Sequence, residues 1–326
     1  MASPRLISCV LALATVTLAA CSSPPPLTGG EPKVSGVADG KGGGAPGGDP
    51  TTGAGPSVSA LTPEAYKGEL DSRHKTMLGA INGLAGARGV QSLNQRVDKA
   101  EQALSGAADA LSAISPPADV RAQHDAYVTS LRDFAAELGS TAGKVGSREL
   151  CTSSAVLSDL GTKLTALNKA GEALQGAGDY PADIVTVKAG GKQNRRLKNG
   201  AFIRRTSLGG RSSLEVDNGG SRDAVVTVVK GGSKTFSVYV RKRAKFKVRG
   251  VPDGSYKIYF THGVDWDGKS KSFTRQCSFE RFQKSVKFKT TVTATQILWH
   301  DWRVTLHAIS GGNARTAPVN PDDFPS

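Results

Sequence analysis

The sequence predicts an α+β protein of two domains, an antiparallel helical bundle followed by an antiparallel β-sandwich. Between residues 61 and 178, apolar residues recur at steps of three and four, the spacing of helices with one buried face. After residue 181, short runs of alternating polarity are separated by turn residues at about ten-residue intervals, which is typical of antiparallel sheets. We therefore expect a bundle over 61–178, a sandwich over 181–312 and a C-terminal tail over 313–326.

The first twenty residues predict a signal peptide. Arg5 precedes an apolar run over 6–20, which is short for a membrane span of ~20 residues. A retained anchoring helix is the alternative, but a Pro- and Gly-rich stretch follows directly. The end of the run, Leu18-Ala19-Ala20-Cys21, resembles the lipobox of bacterial lipoproteins of the actinobacterial type. The resemblance implies cleavage before Cys21, lipidation of its thiol with diacylglycerol (palmitate or a similar chain), and anchoring on the extracytoplasmic face of the cell membrane.

Residues 21–60 predict a disordered tether behind the lipidated cysteine. Residues 22–60 contain 11 Gly and 7 Pro among 39. Such a segment buries too little apolar surface to offset its chain entropy. A flexible coil of this length spans ~35 Å, enough to hold a folded domain clear of the headgroups.

Four apolar stripes predict the helices of the bundle. Thr62 is a candidate N-cap before Pro63 at the first helical position. Ser115-Pro116-Pro117 ends the second helix, and the region from Gly139 to Ser147 is expected to loosen. The stripes are Tyr66, Leu70, Met77, Ile81 and Leu84; Leu93, Val97, Ala100, Leu104, Ala107, Leu111 and Ile114; Val120, His124, Tyr127, Leu131, Phe134 and Leu138; and Leu157, Leu160, Leu164, Leu167 and Leu174.

These stripes are typical of core residues. We expect His124 to be a satisfied core histidine and not a ligand. The segments Pro116-Pro117-Ala118-Asp119-Val120 and Leu150-Cys151-Thr152 resemble Ala-rich helical domains of actinobacterial lipoproteins. That resemblance implies a fold but no activity.

Alternating runs predict the strands of the sandwich. Alternation places Phe236, Val238 and Val240 on the inward face, with Phe246, Val248, Ile258, Phe260, Val304 and Leu306. The runs are 184–188, 213–216, 224–230, 235–240, 245–249, 256–261, 286–291, 295–299 and 302–309. The nine residues from Val248 to Tyr256 resemble the hairpin of transthyretin-like and carboxypeptidase-regulatory-like sandwiches. Asp265-Trp266-Asp267-Gly268 and Pro321-Asp322-Asp323-Phe324-Pro325 are similar to elements of uncharacterised actinobacterial secreted modules, which implies fold alone.

The surplus of positive charge lies in the β half. Of the 42 Lys and Arg residues, 27 lie after residue 180, against 11 Asp or Glu there, a surplus of 16 (27 − 11). Five cations, Arg241, Arg243, Lys245, Lys247 and Arg249, would share one face if the strand continued through Ala244. Such a face favours an anionic partner, whereas a solvated edge strand guarded by its lysines is the alternative.

Three further groups of residues leave alternatives open. His262, Asp265 and Asp267 could bind a divalent ion, but Asp-x-Asp-Gly is also an ordinary turn and the remaining calcium ligands are missing, so we expect no metal and no cofactor. Cys151 and Cys277 could form a disulfide in an oxidising compartment, although two buried unpaired thiols are favoured. Aromatic residues could form a stacking platform if they were exposed, but most of them are expected in the core. The candidates are Trp266, Trp299, Trp302, Tyr239, Tyr256 and Tyr259.

The sequence contains no nucleophile elbow, phosphate loop or zinc spacing, so an enzyme is not expected. The prediction is a non-catalytic binding or scaffolding lipoprotein whose β domain contacts an anionic wall polymer, anionic headgroups or an acidic envelope protein. An accessory or sensing subunit that docks through the bundle is the alternative, and a wall hydrolase is the third. The extracytoplasmic location argues against nucleic acid, and the oligomeric state is left open.

Overall fold

The computed structural model describes residues 59–206, 208–307 and 314–325. The predicted signal peptide, the lipidation site Cys21 and the tether, up to residue 58, lie outside these residues. In the part of the chain that is described, no helix has both the length and the apolar composition needed to cross a membrane.

Helices occupy the first half of the described chain. Helix α1 begins as predicted, because Thr62 Oγ1 accepts a hydrogen bond from the Ala65 amide at 3.2 Å and Pro63 is the first helical residue. The helices are α1 Pro63–Ala85, α2 Val90–Ser112, α3 Arg121–Gly146, α4 Ser153–Asp159 and α5 Gly161–Gly178, with a 3-10 turn at Ala118–Val120 before α3.

Two helical predictions need correction. Helix α3 runs through Gly139 to Gly146 without loosening, because Leu138, Thr141 and Val145 continue its buried stripe. Packing of that stripe outweighs the ~1 kcal/mol that each interior glycine costs. The last predicted helix is two helices, α4 and α5, which meet at Leu160.

The core of the helical half contains a buried polar pair. The Tyr66 hydroxyl lies 2.9 Å from His124 Nδ1, and His124 is only 2% exposed. The prediction that His124 is a satisfied core histidine is therefore confirmed. Burial lowers the pKa of His124 below its usual range.

The segment after α5 belongs to the helical half. Tyr180, Ala182 and Ile184 are buried in the same hydrophobic cluster as the helices. The strand predicted over 184–188 is wrong, because these residues pack on the helical core as coil and have no neighbouring strand. The polarity of residues 184–188 alternates because one side of this extended segment lies on the helices.

Strands form the second half. The strands are β1 Phe202–Arg205, β2 Ser212–Asn218, β3 Asp223–Lys230, β4 Ser233–Val240, β5 Ala244–Val251, β6 Gly254–Asp267, β7 Ser272–Phe282, β8 Val286–Phe288, β9 Thr290–Val292, β10 Ile297–Trp299, β11 Trp302–Thr305 and β12 Thr316–Pro318. The largest sheet has the order β1-β4-β3-β6-β7-β12, with β8 paired to β6. A second sheet has the order β11-β2-β5, and among the described strands β9 pairs with β10 alone.

One hydrophobic cluster contains residues from both larger sheets. Leu214 and Val216 of β2 share it with Val226 of β3 and Phe236 of β4. The inward-facing residues predicted from alternation are buried, except that Phe246 is half-buried against the cluster. Pairing is antiparallel throughout the described strands save for β11, which runs parallel to β2.

Strand β7 was not predicted from the sequence. This strand pairs with β6 along most of its length and with β12 at its end. Its residues lack clean alternation because a bulge between His262 and Val264 shifts the register of the pair, so the residues on one face are not evenly spaced in sequence.

Backbone pairing joins the helical half to β7. The Cys151 amide donates to the Thr274 carbonyl at 2.8 Å, and the Cys277 amide donates to the Arg148 carbonyl at 3.1 Å. Between them, the Gln276 amide donates to the Glu149 carbonyl at 3.0 Å. Residues 148–151 thus lie along the edge of β7, next to the part of β7 that precedes its pairing with β12.

The C-terminal segment returns to the helices. After β12, a 3-10 turn at Pro321–Asp323 contacts α2. Asp322 Oδ1 lies 2.7 Å from where a Cβ on Gly89 would stand, and Gly89 has φ +85°, so only glycine fits before α2. The Phe324 ring is buried against Tyr259 and Phe279 of the β half.

Candidate functional site

The predicted five-residue basic face does not form. Strand β4 ends at Val240 and β5 begins at Ala244, with Arg243 at φ +56° in the turn between them. The chain therefore does not continue as one strand through Ala244, and alternation carries no information across this turn. Arg241 instead donates to the Leu197 carbonyl from Nε at 2.8 Å.

The three remaining cations, Lys245, Lys247 and Arg249, share one face of β5, but two of them have carboxylate partners. Lys245 Nζ lies 3.2 Å from Asp217 on β2, and Lys247 Nζ lies 3.6 Å from Asp301. Arg303 on β11 also binds Asp217, at 2.6 Å. This part of the face is a mixed charge network, which explains how a ladder of lysines is tolerated.

Asp217 is the centre of that network. Burial would raise the pKa of its carboxyl group, but hydrogen bonds from Arg303 and Lys245 outweigh burial and lower the pKa below its usual range. The carboxylate is therefore charged at neutral pH and cancels part of the positive field.

Three exposed cations on β5 and at β8 have no acidic partner within the described part of the chain. Arg249, Lys287 and Lys289 are exposed, and no carboxylate among the described residues lies within ion-pair distance of them. Lys287 is on β8 and Lys289 follows it directly. We call Arg249, Lys287 and Lys289 the basic cluster.

An exposed apolar hairpin follows the basic cluster in the chain. Among the strands that the structure describes, β9 and β10 pair only with each other, in the register Val292–Ile297 and Thr290–Trp299. The large apolar residues that the structure leaves exposed all lie in or directly after this hairpin: Val292 71%, Leu298 53%, Trp299 48%, Ile297 40% and Trp302 39%.

Side chains after the hairpin tie its base to the basic cluster. The Trp302 indole Nε1 donates to the Lys287 carbonyl at 2.9 Å, and His300 Nδ1 lies 3.1 Å from the Lys289 carbonyl. At the start of β9, the Thr290 amide donates to Asp253 at 2.7 Å. The hairpin is therefore held directly beside Lys287 and Lys289.

The aromatic residues divide into two groups. Trp266, Tyr239 and Tyr256 are buried, as expected for core residues. Trp299 and Trp302 are exposed, and sequence alone did not separate them from the others. The absence of charge around Trp299 is the sequence feature that could have separated these two residues from the others. The alternation in that run was instead interpreted as an ordinary strand.

The three metal candidates do not meet at one site. Asp265 is held by Arg195, with Nε–Oδ1 at 2.9 Å and Nη2–Oδ2 at 2.8 Å, and by the Thr274 hydroxyl at 2.7 Å. Asp267 accepts from Arg195 as well, at 3.2 Å. Within the described residues no three His, Cys, Asp or Glu side chains are arranged to hold a metal ion.

Arg195 also determines the ionisation of Asp265. Burial alone would raise the pKa of Asp265, but hydrogen bonds from Arg195 and Thr274 outweigh it and hold the pKa at about 2. A carboxylate satisfied in this way by protein donors is a structural ion pair that fixes the coil before β1 against β6.

A second buried ion pair was also missed. Arg196 binds Asp223 through two hydrogen bonds of 2.6 Å each, and the Tyr239 hydroxyl donates to the same carboxylate. The Lys242 amide completes the set at 2.8 Å. No sequence signal identifies these partners, because 27 positions separate Arg196 from Asp223.

Cys151 and Cys277 form a disulfide, although the sequence favoured unpaired thiols. The Sγ atoms are 2.05 Å apart and the Cα atoms 6.4 Å apart, across 126 positions of sequence. The backbone pairing of 148–151 with β7 brings the two cysteines together. The bond links the helical half to the β half.

A cleft of about 610 Å³ lies beside this junction. Its lining includes Arg195, Asp265 and Asp267, which bind one another as described above. These charged groups are already satisfied by protein partners, so the cleft offers them no role in holding a ligand.

His262 predicts how stability depends on pH. Burial, and then the charge of Arg222, lower the pKa of His262 to about 4 in the folded protein, against 6.5 for an unperturbed histidine. As the pH falls through this window the unfolded state takes up a proton that the folded state does not, so stability is lost below pH 6.5. We expect the free energy of unfolding to fall by about 3 kcal/mol between pH 7 and pH 4 through this residue.

Urea unfolding at a series of pH values measures this loss. The variant His262→Gln should show a shallower dependence over the same window, and His300→Gln, at an exposed histidine, serves as the matched control. An unchanged slope in the His262→Gln variant would contradict the prediction.

Comparisons of the chain with protein-family profiles, curated proteins and solved structures found no match.

Proposed function

We propose that this protein is a lipid-anchored extracytoplasmic lipoprotein that binds an anionic surface of the cell envelope without catalysing a reaction. In this proposal Cys21 carries the lipid, a helical bundle and a β-sandwich form the folded part, and the basic cluster makes the contact. The observation that supports it is the exposure of Arg249, Lys287 and Lys289 without carboxylate partners among the described residues.

The position of the charge supports the proposal further. Lys245 and Lys247 are partly neutralised by Asp217 and Asp301, so the free field of this region lies nearer to β8. A field of this kind acts within a Debye length, ~8 Å at physiological ionic strength. A basic residue close to an anionic membrane contributes about 1 kcal/mol to binding. The three residues together would contribute about 3 kcal/mol, roughly a hundredfold in affinity.

Co-sedimentation tests this proposal. The chain lacking residues 1–20 and carrying Cys21→Ser is mixed with purified cell wall or with phosphatidylglycerol vesicles, at low and high salt. We expect binding at low salt that is lost at high salt, because salt screens exposed charges. The variant Arg249→Gln/Lys287→Gln/Lys289→Gln should bind roughly a hundredfold more weakly.

A matched control changes the same charge elsewhere. Lys75, Lys99 and Lys169 are exposed on helices α1, α2 and α5, and their replacement with glutamine should leave binding almost unchanged. Equal loss in both triple variants would show that net charge, and not the basic cluster, drives binding. Absence of binding to either material at low salt would overturn the proposal.

A further inference from the structure

The β9–β10 hairpin is uncharged and exposes apolar side chains to water. No charged residue occurs from Thr290 to Trp299, and Val292, Ile297, Leu298 and Trp299 are all at least 40% exposed. Contiguous exposed apolar groups on a soluble domain mark an interaction site. Here they are concentrated in one hairpin and the residues that follow it.

Both faces of this hairpin are apolar. By strand alternation, the pairs Val292–Ile297 and Thr290–Trp299 lie on one face, and Leu298 with Thr291 lies on the other. An ordinary antiparallel ribbon buries one face and hydrates the other. A two-stranded ribbon that exposes apolar side chains on both faces is suited to an apolar medium that surrounds it.

The base of the hairpin is positively charged. Trp302 and His300 hold its base to the carbonyl groups of Lys287 and Lys289, whose side chains are exposed. Cationic groups at the base and apolar groups beyond them match the layers of an anionic bilayer, in which headgroups cover the hydrocarbon. Tryptophan is also the side chain that most favours the boundary between these layers.

Other occupants fit less well. A second copy of this chain would bring the two basic clusters together, which like charge opposes. Residues 22–58 contain Leu27 and three valines as their only large apolar side chains, too few to cover the hairpin. A hydrated wall polymer would pair with the lysines but leave the apolar side chains in water.

We propose that the β9–β10 hairpin inserts into the interfacial region of an anionic phospholipid bilayer, with Lys287 and Lys289 on the lipid phosphates. The inference rests on the proposed function and specifies its partner as lipid. It assigns a second membrane contact to a protein that the sequence already predicts to be anchored by Cys21.

Tryptophan fluorescence tests the insertion directly. The chain lacking residues 1–20 and carrying Cys21→Ser is mixed with vesicles of equimolar phosphatidylglycerol and brominated phosphatidylcholine. Trp299 and Trp302 should shift their emission to shorter wavelength and be quenched by bromine. Trp266 is only 4% exposed and should remain as the unquenched internal control. In the variant Trp299→Phe, the quenching that remains should come from Trp302 alone.

Binding variants provide a second measurement. We expect Ile297→Ser and Leu298→Ser each to weaken binding to these vesicles roughly tenfold, because each removes a large apolar side chain from the lipid. Thr291→Ser in the same hairpin is the conservative control and should bind normally. Circular dichroism confirms that each variant is folded.

The outcomes separate this inference from the proposed function. Salt-sensitive vesicle binding without quenching or a spectral shift would overturn insertion and leave the proposed function standing. Binding to cell wall but not to vesicles would do the same. Absence of binding to both materials would overturn the two together.

Discussion

Replacing both Cys151 and Cys277 with serine is expected to lower the free energy of unfolding by about 4–5 kcal/mol. The disulfide spans 126 positions. Cross-linking a loop of this length removes much of the entropy of the unfolded chain, and the stabilisation grows with the logarithm of loop length. The cost is a large share of the ~5–15 kcal/mol that stabilises a typical domain.

Urea unfolding of the oxidised protein, the reduced protein and the double variant measures this contribution. The reduced protein and the double variant should unfold at the same denaturant concentration, below that of the oxidised protein. Cys21→Ser alone is the control and should have no effect, since Cys21 lies outside the described fold. Equal stability with and without reductant would refute the prediction.

Asp223→Ala is expected to cost about 3–5 kcal/mol. Asp223 is buried and accepts hydrogen bonds from Arg196, Tyr239 and the Lys242 amide. Removing the carboxylate leaves the buried Tyr239 hydroxyl and the Arg196 guanidinium, which is 33% exposed, without their partner. Loss of a buried carboxylate that pairs with a charged group and several hydrogen-bond donors typically costs this much. Burial would raise the pKa of Asp223, but hydrogen bonds from Arg196 and Tyr239 outweigh it and lower the pKa.

Two variants frame this measurement. Asp71→Ala removes an exposed carboxylate on α1 and should change the stability by less than about 0.5 kcal/mol. Asp223→Asn keeps the shape and some hydrogen bonds, so its cost should lie between the two.

Because the folded-state pKa of Asp223 is depressed, its contribution to stability is present above pH 3.8 and is lost as the pH falls below that value. A loss in Asp223→Ala no larger than in Asp71→Ala would show that the buried pair is not stabilising.

The helices were the most predictable part of the fold. Most residues of each of the first three apolar stripes lie within one helix, so local spacing alone carries the information. Thr62 and Pro63 set the start of α1 as predicted. The errors occurred where tertiary packing outweighed local preference, at Gly139 in α3 and at Leu160 between α4 and α5.

Strands were predicted where alternation was regular and missed where it was not. Runs such as 245–249 alternate between exposed and more buried residues, so their period is visible. β7 escaped because a bulge shifts its register, and the strand predicted over 184–188 proved to be coil on the helical core. Alternation alone does not distinguish pairing with a strand from packing on a helix.

The candidate site was only partly predictable. The surplus of charge in the β half was visible in the composition, but the pairing of Lys245 with Asp217 depends on which strands are neighbours. The same holds for Arg196 with Asp223 and for Cys151 with Cys277, since each pair is distant in sequence. Exposure of Trp299 depends on β9 and β10 having no other strand beside them.

The pairing of residues 148–151 with the edge of β7 joins two segments that are synthesised at different times. At ~5–20 residues per second, residue 277 is made roughly 6–25 s after residue 151. The turn at Pro321–Asp323 that contacts α2 is made later still. The thiol of Cys151 therefore has no partner until the β half has been synthesised as far as β7.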